Sequence, residues 1–307
     1  MSDVLFLSRA DVASLLDLDD CIAAVERAFA MLGRGELPPP AIAGVHAAGG
    51  AFHIKAAIAG GRFAAKINAN FFEAMPRIKG IVMLADASDG TPLAIMDSIE
   101  ITILRTGAAT AVAAKFLARD DARTALICGC GLQGRIQAKA LARVRPIERF
   151  FALDADASRA RAFARDVGAE VVDEVVPADV VVTCTPSRAA FLRDVAPGTF
   201  VAAVGADSEE KSEIAPSLLA SSKVVTDVTE QCAAIGDLHH AIAAGAMTRG
   251  GVYAELGEIV AGRKPGRERD DEVIVFDSTG MALQDVAAAS IVYDRAVARG
   301  AGVRVAL

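Results

Sequence analysis

Residues 124–144 read TALICGCGLQGRIQAKALARV, an apolar strand-like run, a glycine-rich turn and a helix-forming segment in direct succession. The turn, Gly129-Cys130-Gly131-Leu132-Gln133-Gly134, has the GxGxxG spacing of a dinucleotide cradle. In that geometry Gly129 permits the tight turn, Gly131 lets backbone approach a pyrophosphate, and Gly134 allows helix and strand to pack closely. The helix N-terminus then holds the phosphates, so Gly129, Gly131, Leu132, Gln133 and Gly134 are the expected cofactor contacts. Asp154 follows the next apolar run, RFFAL at 149–153. A carboxylate there accepts both ribose hydroxyls of the adenosine half and repels a 2′-phosphate, which favours NAD over NADP despite the nearby Arg159 and Arg161. The alternative task for Asp154 is to cap the helix that begins near Ser158.

Outward from this turn the same rhythm continues. RFFAL, VVVTC, TFVAAV and KVVT are near-continuous apolar strands, and helical or loop segments separate them. That alternation predicts a parallel sheet covered on both faces, a doubly wound α/β domain. Thr185-Pro186-Ser187-Arg188 and Val204-Gly205-Ala206-Asp207 fall at carboxyl ends of predicted strands, where such sheets bind ligands.

Upstream the pattern differs. Asp19 and Asp20 precede Ile22, Val25, Phe29 and Leu32, a one-sided stripe at helical spacing that ends at Gly33 and Gly35 before Pro38-Pro39-Pro40. FHIKAAI, RFAAKINANFF, KGIVMLAD and PLAIMDS then read as an antiparallel or mixed sheet, with Asp89-Gly90 as a hairpin turn. The Ala-rich run from Thr106 to Ala118 is a helix that links two domains. A last helix, Met281 to Arg299, is expected to return to the first domain. The predicted division is 1–118 with 281–307, and 119–280.

Composition narrows the function. The 307 residues are 53% hydrophobic and 23% charged, too apolar for disorder. The net charge of −7 comes without a basic block, which argues against nucleic acid. No apolar run is long enough to span a bilayer and the start lacks a signal-peptide pattern, so no membrane association and a cytoplasmic location are expected. The five Cys suggest small core residues rather than a disulfide framework. Four His without HExxH predict no metal, and the absence of GxSxG argues against covalent hydrolysis.

KIN at 66–68, PLAIMDS at 92–98, LRTGAATAVAAKFLA from Leu104, GCGLQG, TPSR, VGADSEEKSE from Val204 and VFDSTGMALQDVAAA from Val275 occur in one order along the chain. Together they resemble the ornithine cyclodeaminase/mu-crystallin family. The resemblance implies a Rossmann NAD-binding domain and a smaller α+β substrate and dimerisation domain completed by the C-terminal helix. It further implies a homodimer, and hydride transfer between nicotinamide and the α-carbon of an amino or imino acid. By the same resemblance Lys66 and Arg105 contact the substrate carboxylate, with Lys66 among the catalytic groups, and Asp207 is the acid that exchanges a proton at the substrate nitrogen. Thr106 and Ser187 match cofactor contacts, and Ser278, Thr279 and Gly280 match the loop beside the nicotinamide; Thr185, Val204 and Gly205 join them as expected cofactor contacts from their place at strand ends. The plainer alternatives are helix capping for Asp207, Ser278 and Thr279.

Departures from the family pattern bear on substrate. Some relatives place a basic residue after the Pro-rich connector, where this chain has Pro40-Ala41, and a Met-Pro pair is replaced by Ile54-Lys55. Met75-Pro76-Arg77 adds a further cation. If Lys55, Lys66, Arg77 and Arg105 all face the pocket, their charge disfavours the δ-ammonium of ornithine and suits a second carboxylate, as in iminosuccinate reduced to aspartate. Ornithine cyclodeamination with internally recycled NAD, or non-catalytic binding of nicotinamide and a small ligand, are the competing functions.

Overall fold

The computed structural model describes residues 3–71, 73–76 and 78–306; Arg77 lies outside the described residues. The chain begins β1 (Asp3–Leu7), α1 (Arg9–Leu15), α2 (Leu18–Gly33), β2 (Ala41–Ala47), β3 (Gly50–Ala59), β4 (Arg62–Phe71), β5 (Ile78–Asp86), β6 (Pro92–Asp97) and α3 (Ile99–Leu117). It continues through β7 (Thr124–Cys128), α4 (Leu132–Val144), β8 (Arg149–Leu153), α5 (Ala157–Val167), β9 (Glu170–Val171), β10 (Val180–Thr183), β11 (Phe200–Ala203), α6 (Pro216–Ala220) and β12 (Lys223–Thr226). Then come α7 (Thr229–Ile235), α8 (Asp237–Ala243), β13 (Ala254–Glu255), α9 (Leu256–Val260), β14 (Ile274–Asp277), α10 (Ala282–Arg299) and β15 (Val303–Ala306). Two units result, 1–108 with 281–307 and 109–280, and the division falls inside α3 between Ala108 and Ala109.

In the first unit seven strands pair in the order β15-β1-β6-β5-β4-β3-β2, with β1 and β6 parallel and the remaining pairs antiparallel. Helix α2 starts just ahead of the acidic pair suggested by sequence: Asp17 is its cap and accepts the Asp20 amide at 2.9 Å. Its stripe of Cys21, Ile22, Val25 and Phe29 is buried, and α10 packs against α2, β3 and β4. Because side chains alternate along a strand, β4 sends Ala64 and Lys66 to the buried face and Ile67 to the opposite one. On that opposite face Ala43, Ile54, Ile67 and Ile81 are successive cross-strand partners. Phe52, Ile58, Ile67 and Ile81 are all exposed there.

The second unit holds eight parallel strands in the order β13-β12-β14-β11-β10-β7-β8-β9. Every residue of β10, β11 and β14 is buried, as strands covered on both faces require. From β7 the chain builds outward to β8 and β9, then returns to place β10 on the other side of β7. The order therefore reverses between β7 and β10, which makes the carboxyl ends of these strands the natural ligand site. The C-terminal carbonyls of α3 are capped by guanidinium groups: Arg145 Nη2 donates to Lys115 O at 2.8 Å and Arg267 Nε to Leu117 O at 2.8 Å. The five cysteines are free thiols.

Candidate active site

The glycine turn sits between β7 and α4 at this reversal. Gly129 has φ of +103°, and a Cβ on Gly134 would lie 2.1 Å from Gly129 O, so neither position accepts a side chain without moving backbone. Around Gly131 the space is open, and no side chain caps the amides that begin α4. Gln133 Oε1 is buried without a hydrogen-bond partner among the described residues. A crowded turn beside an uncapped helix N-terminus fits a pyrophosphate. Asp154 Oδ2 accepts the Cys130 amide at 2.8 Å and Oδ1 accepts the Asp156 amide at 2.8 Å, which ties the glycine turn to the end of β8. The cap of α5 is Asp156, whose Oδ1 accepts the Ser158 amide, so Asp154 is not the helix cap that its position also allowed. Arg159 Nη1 stands 3.6 Å from Asp154 Oδ1.

Thr185 and Gly205, on the loops after β10 and β11, meet at one carboxylate, Glu213: Thr185 donates from its amide at 2.6 Å and its hydroxyl at 2.7 Å, and Gly205 donates from its amide at 3.0 Å. The Val204 amide donates to Thr183 O at 2.9 Å, and the Ser187 amide to Thr185 Oγ1 at 3.1 Å. Asp207 is exposed and ion-paired with Lys211 at 2.5 Å. It caps no helix, since α6 begins after Ala215. Ser278 and Thr279 do not cap α10 either, whose N-cap is Met281. Instead Ser278 Oγ and the Gly280 amide donate to Asp227 Oδ2 at 2.9 and 2.6 Å, and Gln231 Nε2 donates to Thr279 Oγ1 at 2.6 Å. Thr106 Oγ1 donates to Thr102 O at 2.7 Å within α3.

The first unit gathers the cations. Lys55 and Lys66 are direct cross-strand partners on β3 and β4, and both are buried. Lys66 Nζ lies 2.8 Å from Asp285 Oδ1 on α10, and Arg105 Nε lies 3.2 Å from the same oxygen. Arg105 Nη1 donates to Gln284 Oε1 at 2.9 Å. Burial and the neighbouring Arg105 push the Lys66 ammonium down to about 7, against the pull of Asp285. Burial alone would raise the Asp285 carboxyl, but Lys66 and Arg105 hold it below the usual carboxylate range. Asp285 and Gln284 were not singled out by sequence. The only available signal was their place in LQDVAAA beside the FDSTG motif. Asp285 is a shared counter-charge for Lys66 and Arg105, so the positive surplus is smaller than the sequence suggests. Asp285 Oδ2 and Gln284 Nε2 are buried with no hydrogen-bond partner among the described residues, as polar atoms set aside for a ligand would be.

A model of the ornithine cyclodeaminase/mu-crystallin family matches residues 2–300. The chain belongs to this family. Within it, a solved archaeal alanine dehydrogenase, a dimer with bound NAD, is 34% identical with a TM-score of 0.95, covering 100% of both chains. The Δ(1)-pyrroline-2-carboxylate reductase of Thermococcus litoralis, in complex with NADH and L-proline, is 31% identical at a TM-score of 0.93 over 98% of this chain and 100% of that one. The iminosuccinate reductase of Paracoccus denitrificans, in complex with NAD+, is 30% identical at a TM-score of 0.91 over 100% of both chains. These family members agree with the mixed α/β fold and parallel sheet expected from sequence, and they are dehydrogenases and imine reductases. No helix among the described residues is long and apolar enough to cross a membrane.

Proposed function

We propose that the chain is an NAD-dependent oxidoreductase that interconverts an imino acid, or a 2-oxo acid plus ammonia, with an L-amino acid, and that its substrate carries a second carboxylate. The observation that supports this most is the burial together of Lys55, Lys66 and Arg105, with Lys55 the direct cross-strand partner of Lys66. Arg105 and Lys66 hold the α-carboxylate by charge-assisted hydrogen bonds. Lys55, beside Lys66, takes the second carboxylate, as in iminosuccinate. The ammonium of ornithine would meet repulsion instead, which disfavours the cyclodeaminase alternative. Asp207 gives a proton to the substrate nitrogen in the reductive direction and removes one from it, or from an attacking water, in the oxidative direction. When bound, NAD supplies the hydride donor or acceptor. Gly129, Gly131, Leu132, Gln133 and Gly134 hold its pyrophosphate and Asp154 its adenosine ribose. Thr106, Thr185, Ser187, Val204, Gly205, Ser278, Thr279 and Gly280 line the remainder.

An NADH-oxidation screen with ammonium plus pyruvate, glyoxylate, oxaloacetate or 2-oxoglutarate, alongside preformed cyclic imines and ornithine, tests the proposal. Oxaloacetate plus ammonium should give the higher kcat/KM, with NADH preferred over NADPH. Lys55→Met should lower kcat/KM for oxaloacetate by about 10- to 100-fold, the worth of one charged hydrogen bond, and leave that for pyruvate near wild type. Equal kcat/KM for pyruvate and oxaloacetate in the unmodified enzyme would rule out the acidic pocket. Release of proline and ammonia from ornithine without net NADH would mark a cyclodeaminase.

The row of Ala43, half-buried Ile54, Ile67 and Ile81, with exposed Phe52 and Ile58 on the same face, supports a homodimer that buries this sheet face, because a contiguous apolar surface of this kind is uncommon on a monomer. Ile67→Glu should halve the mass measured by light scattering. Its side chain faces away from Lys66, so the cation cluster stays intact. A mass unchanged in both Ile67→Glu and Ile81→Glu would refute this interface.

A further inference from the structure

Behind the strand ends of the second unit lies a series of buried carboxylates that the proposed chemistry leaves unused. Glu213 is fully buried and accepts four hydrogen bonds: Thr185 amide at 2.6 Å and Thr185 hydroxyl at 2.7 Å on Oε1, Thr183 hydroxyl at 2.8 Å and Gly205 amide at 3.0 Å on Oε2. One side chain thus joins the loop after β10 to the loop after β11. The pairing of these two strands ends at Thr183 and Ala203. Beyond that point the sheet ladder no longer sets their spacing. A Cβ on Gly205 would lie 2.4 Å from Glu213 Oε2, so this close approach depends on glycine.

Glu213 is held in turn. Asp237 Oδ1 accepts the amides of Glu213 and Ile214 at 2.8 and 3.0 Å, and Asp277 Oδ2 accepts the Leu238 amide at 2.9 Å. Asp227 accepts the Ser278 hydroxyl and the Gly280 amide at the third loop. Burial, followed by the charge of Asp237, pushes Glu213 up to about 7. A carboxylate kept in so unfavourable a place is costly unless its donors offset that cost.

We propose that Glu213 is a positioning residue whose carboxylate sets the spacing of Thr185 and Gly205, and that Asp237, Asp277 and Asp227 extend this alignment to Ser278 and Gly280. The importance of that spacing rests on the reading that these loops contact NAD. Glu213→Gln keeps the shape but turns an amide nitrogen toward donors. In the cofactor-free variant, hydrogen exchange should rise about tenfold or more at whichever of the Thr185 and Gly205 amides faces the new nitrogen, the loss of a charged hydrogen bond, while Val181 and Val201 stay protected. NADH affinity by fluorescence titration should fall about 10- to 100-fold, and KM for the imino acid should remain near wild type.

Exchange at Thr185 and Gly205 unchanged from wild type, or unchanged NADH affinity, overturns the assignment. Should the unmodified enzyme bind no NADH, the functional reading fails, while the exchange result still decides what Glu213 does. If Glu213→Gln does not fold, Thr183→Val removes one donor and leaves the loops themselves untouched. A fall in NADH affinity then supports the proposal, and wild-type affinity overturns it.

Discussion

Asp207→Ala is expected to lower kcat by about 10²- to 10⁴-fold, the usual span for losing a positioned general acid, while NADH affinity stays near wild type. The separation follows from where the carboxylate is anchored. Asp207 is exposed, paired with Lys211 at 2.5 Å, whereas the neighbouring Gly205 amide is fixed by Glu213. Removing the Asp207 side chain takes away a proton donor and leaves intact the hydrogen bonds that order the loop beneath it. Steady-state kinetics beside a fluorescence titration with NADH measures both quantities. Turnover at the wild-type rate in this variant would remove Asp207 from the mechanism.

Lys66→Met should raise KM for the imino acid about 10- to 100-fold, roughly 1.5–3 kcal/mol for one hydrogen bond to a charged group. The pH dependence gives a second readout. Burial and Arg105 lower Lys66 to about 7, so its charge is present on the acid side of that value and lost on the alkaline side. Carboxylate affinity should follow that charge: KM stays flat below about 7 and climbs toward tenfold per pH unit above it. Bound substrate, itself anionic, raises the Lys66 pKa in the complex, so the climb begins near 7 and levels off at a higher pH. Arg105 keeps its proton throughout, so Lys66→Met should show a raised KM without that alkaline climb. Asp285, Arg105 and Lys55 all face Lys66, and Asp285 opposes the loss of its proton. A KM that is flat with pH in the unmodified enzyme would exclude Lys66 as the titrating anchor.

The sequence already showed the parts governed by local rules. GxGxxG between an apolar run and a helix, strand runs alternating with helices, and Asp89-Gly90 between two strand runs each reflect constraints acting over a few residues. The α/β fold, the parallel sheet, the glycine turn and Asp154 at the end of β8 were legible for that reason. The same locality left helix capping open as the alternative for Asp154, Asp207, Ser278 and Thr279, and the structure removes it because a cap depends on where a helix actually starts.

Only the tertiary structure decided the company those residues keep. Lys55 meets Lys66 because β3 and β4 pair in one register, and a slip of one residue would have turned Lys55 to the opposite face. Asp285 reads as an ordinary acid in an Ala-rich helix, yet its partner Lys66 is 219 positions away in sequence. Glu213 sits in a charged run, SEEKSE, that looks like solvated surface, and it is buried because donors from two separate strand ends converge on it. Local pattern sets which segments become strands and helices. The electrostatic environment of a side chain is set by groups brought close through folding, and sequence distance carries no measure of that closeness.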